Sequence, residues 1–188
     1  RRSICEIPTN SMNKTFAEFS RYLDKKDYLN SIQAHFYSLP SYRRFPSDDE
    51  FRASFESKDL YNIYSRDYWL RKMENYGKKE LISVDNYTIE HILPQNPDLS
   101  AEWQNDLGED WQDIQAKYLH TLGNLTLTGY NSEYSDKPFK EKRDMKGGFA
   151  QSPLTLNAQI GTSDTWNVQS IIKRARFLSE RALEIWPR

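Results

Sequence analysis

Two short β-leaning runs interrupt a chain otherwise patterned for helix. Residues 82–93 favour a strand, and Leu122 to Thr128 alternate leucine with threonine after a glycine, which predicts a second short strand. Between them, residues 98–120 return to a helical pattern, with Trp103, Leu107, Trp111, Ile114 and Tyr118 as packing residues. A helix is predicted from Asn131 to Met145. Pro138 restricts where it begins, because proline is tolerated only in the first turn, and Gly147-Gly148 stops it. The order is strand, helical insertion, strand, helix, and the fold class expected is α+β, mainly α.

The flanking segments read as helices. Thr9, Asn10 or Ser11 can cap a segment carrying Phe16, Phe19 and Leu23, and a second puts Leu29, Ile32, Phe36 and Leu39 on one face before Pro40. Ser47-Asp48-Asp49-Glu50 matches a capping box, with Phe51 and Phe55 one turn apart behind it. Tyr61, Tyr64, Tyr68 and Met73 mark a further helix ending near Gly77. The last helix is predicted over 163–186, with Ser163 or Asp164 as its cap and Trp166, Val168, Ile171, Ile172, Ala175, Leu178, Ala182 and Ile185 inward. The expected organisation is a helical subdomain over 1–81 and a core over 82–188, its strand–strand–helix unit spanning about 82–147.

Composition narrows the partners. The 26 basic and 27 acidic residues give a net charge of −1, so any nucleic-acid contact has to come from a local patch. Cys5 is the only cysteine, which excludes an internal disulfide framework and a multi-cysteine zinc site and fits a reducing cytoplasm. No apolar run approaches the ~18–20 residues that span a bilayer. The chain begins Arg1-Arg2-Ser3 without methionine and is expected to be a piece of a longer protein.

The chemistry concentrates in Tyr87-Thr88-Ile89-Glu90-His91-Ile92-Leu93-Pro94-Gln95, where a carboxylate and an imidazole are adjacent. Gly123-Asn124-Leu125-Thr126-Leu127, Asn131 and a lysine-rich segment follow. Hydrolysing a phosphodiester requires activating a water and neutralising charge on the phosphate and the leaving oxygen. A neutral imidazole can take the proton. A hard divalent cation held by oxygen donors can supply the charge, and Glu90 and the amide oxygen of Asn131 are suitable donors. Adjacent strand residues point to opposite faces, so a bend before Pro94 is needed for Glu90 and His91 to face one site.

These residues resemble the HNH, or His-Me finger, nucleases, whose core is two strands and a helix clamping one metal ion. The resemblance implies that His91 is the general base and that Glu90 and Asn131 ligate Mg²⁺ or Mn²⁺. By the same likeness Asn124 holds the loop and the histidine strand, and Lys137, Lys140 or Lys142 contacts phosphate. The fuller pattern adds Phe45-Pro46-Ser47-Asp48, Phe51, Leu122-Gly123-Asn124, Asn131-Ser132, Phe139, Lys142, Trp166, Arg174 and Ile185-Trp186-Pro187. It is similar to the C-terminal nuclease region of GmrSD-type restriction enzymes, which include the SspE phosphorothioate-sensing relatives.

That likeness implies a metal-dependent DNA endonuclease of the bacterial cytoplasm, the effector of a phage-restriction protein. Its partners would be DNA and an N-terminal nucleotide-hydrolysing, modification-sensing domain. The alternatives are a catalytically inactive DNA-binding or interdomain module, and an RNase or nickase using the same site. His120 and Arg174 are secondary candidates. His120 otherwise reads as a packing or backbone-bonded histidine, and Arg174 belongs with Lys173, Arg176 and Arg181 to either a DNA track or a solvated face.

Overall fold

The two β-leaning runs pair with each other. In the computed structural model, which describes all 188 residues, β1 (Thr88–His91) and β2 (Leu125–Thr128) form an antiparallel two-stranded sheet. Thr88 faces Thr128, Ile89 faces Leu127, Glu90 faces Thr126 and His91 faces Leu125. The rest is mainly helical: α1 (Met12–Phe19), α2 (Tyr28–Ser38), α3 (Asp48–Ser57) and α4 (Arg66–Asn75) precede β1. α5 (Ala101–Leu107) and α6 (Trp111–Tyr118) lie between the strands. α7 (Asn131–Tyr134), α8 (Phe139–Asp144), α9 (Ala158–Gly161) and α10 (Val168–Ile185) follow β2. No helix is long and apolar enough to cross a membrane.

Several elements are shorter than their sequence patterns, for identifiable reasons. The strand predicted over 82–93 keeps only four residues because side chains claim the backbone at both ends. Asn75 bonds both main-chain groups of Ile82, at 2.9 and 3.0 Å, and Asn124 takes the backbone beyond His91. The insertion breaks at Gly108, whose φ of +90° is open to glycine and strained for other residues. The helix predicted over 131–145 splits into α7 and α8, because Pro138 has no N–H to continue a helix and instead caps α8. The Ser47 hydroxyl accepts from the Glu50 N–H at 3.1 Å, as the capping box requires. The final helix is capped by Asn167, not by Ser163 or Asp164: its Oδ1 accepts from the Ser170 N–H at 3.1 Å.

Two apolar clusters flank the sheet. Phe51, Phe55, Trp69, Leu70 and Met73 of α3 and α4 pack with Ile89, Leu125, Leu127, Leu178 and Ala182. Ile92, Leu93, Trp103, Tyr134, Phe139, Trp166 and Ile171 form the second cluster, so α10 serves both. The helix comes very close to the Leu122–Asn124 turn. A Cβ at Gly123 would sit 2.3 Å from the carbonyl oxygen of Ile171. Gly123→Ala is therefore expected to lower stability by about 1–3 kcal/mol through overpacking. Gly129→Ala, where a Cβ meets nothing within 4 Å, should leave thermal and urea unfolding unchanged. Equal midpoints for the two variants would refute the close packing of α10 on this turn.

Candidate active site

His91 is the last residue of β1, and the loop after it is held from beneath by Asn124. The fully buried Asn124 uses its whole amide on this task. Its Oδ1 accepts from the Leu93 N–H at 2.8 Å and from Trp166 Nε1–H at 3.3 Å. Its Nδ2 donates to the carbonyls of Leu93 at 3.1 Å and Leu119 at 3.0 Å. With two donors and two lone pairs committed, Asn124 positions backbone and has no group left for a substrate. Gln115, from the insertion, donates to the carbonyls of Pro94 at 2.8 Å and Asn96 at 2.9 Å and braces the same loop.

Strand alternation separates Glu90 from His91. Pairing is regular through His91, so no bend brings the two side chains together within β1. Glu90 lies on the face of Thr126 and is buried against α8. Lys142 Nζ donates to Glu90 Oε1 at 2.7 Å and to the carbonyls of His91 at 3.1 Å and Ile92 at 3.2 Å. Both side chains are almost wholly out of water. Burial raises the Glu90 pKa and lowers that of Lys142, and their mutual attraction opposes both shifts.

His91 turns the other way. Its Nε2 lies 3.0 Å from His120 Nδ1. Tyr61 packs on both rings, stacked on His120 with centroids 5.3 Å apart and edge-on to His91 at 4.5 Å. The exposed guanidinium of Arg66 lies 4.6 Å from the centre of the Tyr61 ring. Burial, then the neighbouring His120 and Lys142, push the His91 pKa down to about 3, so the ring is neutral at physiological pH.

The basic residues named from the sequence divide sharply. Lys140 is exposed, and Lys137 pairs with Glu141. Lys142 is not a surface phosphate contact: one helical turn after Phe139, it shares that residue's inward face. Arg174 is no part of a surface track either, because it lies on the buried stripe of α10 with Ile171, Ala175 and Leu178. It donates to the carbonyls of Leu122, Gly123, Leu125 and Leu156. Asn131, at the start of α7, donates from Nδ2 to Ile89 O at 2.8 Å and Thr88 Oγ1 at 3.1 Å. Sequence reasoning missed Arg66 and the role of Tyr61. Tyr61 lies in the segment before α4 rather than on the helix, so helical spacing carried no signal for it.

Glu90 and Asn131 carry the oxygen donors a hard divalent ion prefers, but the arrangement as it stands does not fit one. The Glu90 carboxylate already holds an ammonium, and no three His, Cys, Asp or Glu side chains converge on a common point. The pocket formed by Glu90 Oε1 and two carbonyls suits the Lys142 cation.

Comparison with known proteins supplies the class first: restriction endonucleases. A family model described as GmrSD restriction endonucleases, C-terminal domain, matches residues 45–181, about three quarters of the chain, and the chain belongs to that family. Its role is accordingly related to restriction. No curated protein and no solved structure matches it.

Two outcomes follow from the buried groups. Removing one partner of a buried ion pair typically costs about 3–5 kcal/mol. Lys142→Met should therefore unfold at markedly lower urea, and adding Glu90→Gln should recover much of the loss. Additive effects would mean the pair is not coupled. The unfolded His91 ring takes up a proton below pH 6.5, whereas the folded ring does so only near pH 3. Stability present above 6.5 is thus lost as pH falls between these values. His91→Gln should flatten that part of the Tm-versus-pH curve, and an unaltered slope would contradict a buried, neutral His91.

Proposed function

We propose that this chain is an HNH-type DNA endonuclease domain in which His91 is the general base. The reading is carried by one observation: an imidazole ends a strand whose exit loop is clamped by Asn124, with a second short strand and two short helices following. This is the order of a ββα finger, with α7 and α8 supplying the helical part. His91 takes a proton from a water, and the hydroxide attacks phosphorus as the bond to the leaving oxygen breaks. Arg66, the exposed cation beside the imidazoles, contacts a phosphate, the role first expected of Lys137, Lys140 or Lys142. The substrate is DNA, and the whole restriction enzyme adds an N-terminal nucleotide-hydrolysing, modification-sensing domain.

Dependence on Mg²⁺ or Mn²⁺ comes to this reading from the HNH likeness. Its matched donors are Glu90 and Asn131, and Lys142 would have to leave Glu90 for an ion to bind there. The Lys142 ammonium seated on Glu90 Oε1 favours the second reading, a catalytically silent DNA-binding or interdomain module.

Supercoiled plasmid incubated with Mg²⁺, Mn²⁺ or EDTA separates these. The nuclease reading expects nicking or linearisation that EDTA abolishes and that His91→Ala reduces by roughly 10²–10⁴-fold. Cleavage by His91→Ala at the wild-type rate would refute His91 as the base. Plasmid binding without cleavage in any metal would favour the silent module.

A further inference from the structure

The imidazole pair constrains which nitrogen of His91 can act. A neutral imidazole has one N–H donor and one lone-pair acceptor. Two neutral rings sharing a hydrogen bond between His91 Nε2 and His120 Nδ1 have only two arrangements. If His120 Nδ1–H donates, the His91 lone pair is consumed at Nε2 and its Nδ1 carries hydrogen. His91 then has no free base nitrogen. If His91 Nε2–H donates, its Nδ1 keeps the lone pair and can accept a proton from water. In the second arrangement both rings are Nε2–H tautomers, the form a histidine side chain intrinsically prefers. The Nε2 edge of the partly exposed His120 can then donate to solvent.

The surroundings hold this partner in place. His120 follows α6, its carbonyl accepts from the Leu60 N–H at 2.9 Å, and Tyr61 stacks on its ring with an interplanar angle of 10°. The same Tyr61 packs edge-on against His91.

We propose that His120 is a positioning residue that selects the reactive tautomer of His91, accepting the His91 Nε2–H at its Nδ1 and thereby leaving His91 Nδ1 as the base nitrogen. This rests on the reading of His91 as general base. When water gives its proton to His91 Nδ1, the ring becomes an imidazolium whose Nε2–H still points at His120. The shared hydrogen bond is then charge-assisted and stronger than in the resting state, so His120 favours the proton-transferred state over the ground state. No proton leaves the pair in this step. An acid orienting a catalytic imidazole in a serine-protease triad acts by the same logic.

The chain has three histidines, so ¹⁵N–¹H long-range imidazole spectra can be assigned with single substitutions at His35, His91 and His120. The proposal expects His91 as the Nε2–H tautomer in the wild type. In His120→Ala it expects a shift toward a mixture, and in His120→Asn, whose side-chain oxygen can stand where Nδ1 stood, a return to the wild-type pattern. Plasmid cleavage should fall on the order of 10²-fold in His120→Ala and recover at least tenfold in His120→Asn, with thermal unfolding confirming that both variants fold. A His91 Nδ1–H tautomer in the wild type, or a His91 spectrum unmoved by His120→Ala, overturns the proposal whether or not the protein cuts DNA. Full cleavage by His91→Ala would instead overturn the base assignment beneath it, with the tautomer result still standing as a statement about the pair.

Discussion

The side-chain amide of Asn124 is the interaction on which the site depends. Two strands of four residues do not make a stable sheet alone. Residues 98–120 intervene between them, so no tight turn fixes their register. Asn124 substitutes for that turn. It bonds both main-chain groups of Leu93 on the exit from β1, the carbonyl of Leu119 at the end of the insertion, and Trp166 ahead of α10. Three segments of the chain therefore meet on one side chain. Each bond is worth only about 1 kcal/mol net, but a buried group stripped of its partner costs more than the bond contributed. The position of His91 is thus inherited from tertiary contacts rather than from its strand.

The same logic explains the buried charges. Lys142 ends on the carbonyls of His91 and Ile92, and Arg174 on those of Leu122, Gly123 and Leu125. Glu74, also fully buried, accepts from the N–H groups of Thr155 and Leu156 and from Lys78. In each case an ion is taken out of water, an expensive step unless it is compensated. In each case the partners include backbone at the ends of the two short strands or in the short turns beside them. These strand ends and turns supply the dipoles the ions need, and the ions in turn satisfy their backbone groups. Arg174 illustrates the balance best: it has no carboxylate partner, and burial holds its pKa below the usual arginine value.

What was legible in the sequence follows from the range of the forces involved. The Ser47 cap, the two strands, and the apolar stripe of α10 are written in local patterns of hydrophobicity and hydrogen-bonding side chains, and they occur where those patterns lie. The breaks at Gly108 and Pro138 carry local signals, although the periodic apolar residues around them suggested continuous helices. Asn167 displaced Ser163 and Asp164 as the cap because tertiary packing of Trp166 decides where α10 may begin. The inward turn of Lys142 follows from its helical phase with Phe139, but only Glu90 beneath it makes that burial tolerable. The approach of Tyr61 and Arg66 to His91 had no local signature, because it joins segments about 30 residues apart through α4 and the preceding loop.

Alternation along β1 gives the two adjacent residues of the Glu-His pair different work. Glu90, facing α8, has partners only in the interior, and its carboxylate acts as an anchor for Lys142 and, through it, for the backbone of His91 and Ile92. His91 faces a half-exposed histidine, a tyrosine and a solvent-facing arginine. An acid next to a histidine in sequence is therefore not an acid next to it in the site. For the two side chains to face one phosphate, β1 would have to break its pairing at His91, and Glu90 would be open to another ligand only on withdrawal of Lys142. The first would sacrifice one of four strand pairs; the second would leave a buried carboxylate uncompensated until another cation took its place. The Lys142–Glu90 contact is consequently the point at which release of the Glu90 carboxylate and the integrity of the fold are coupled.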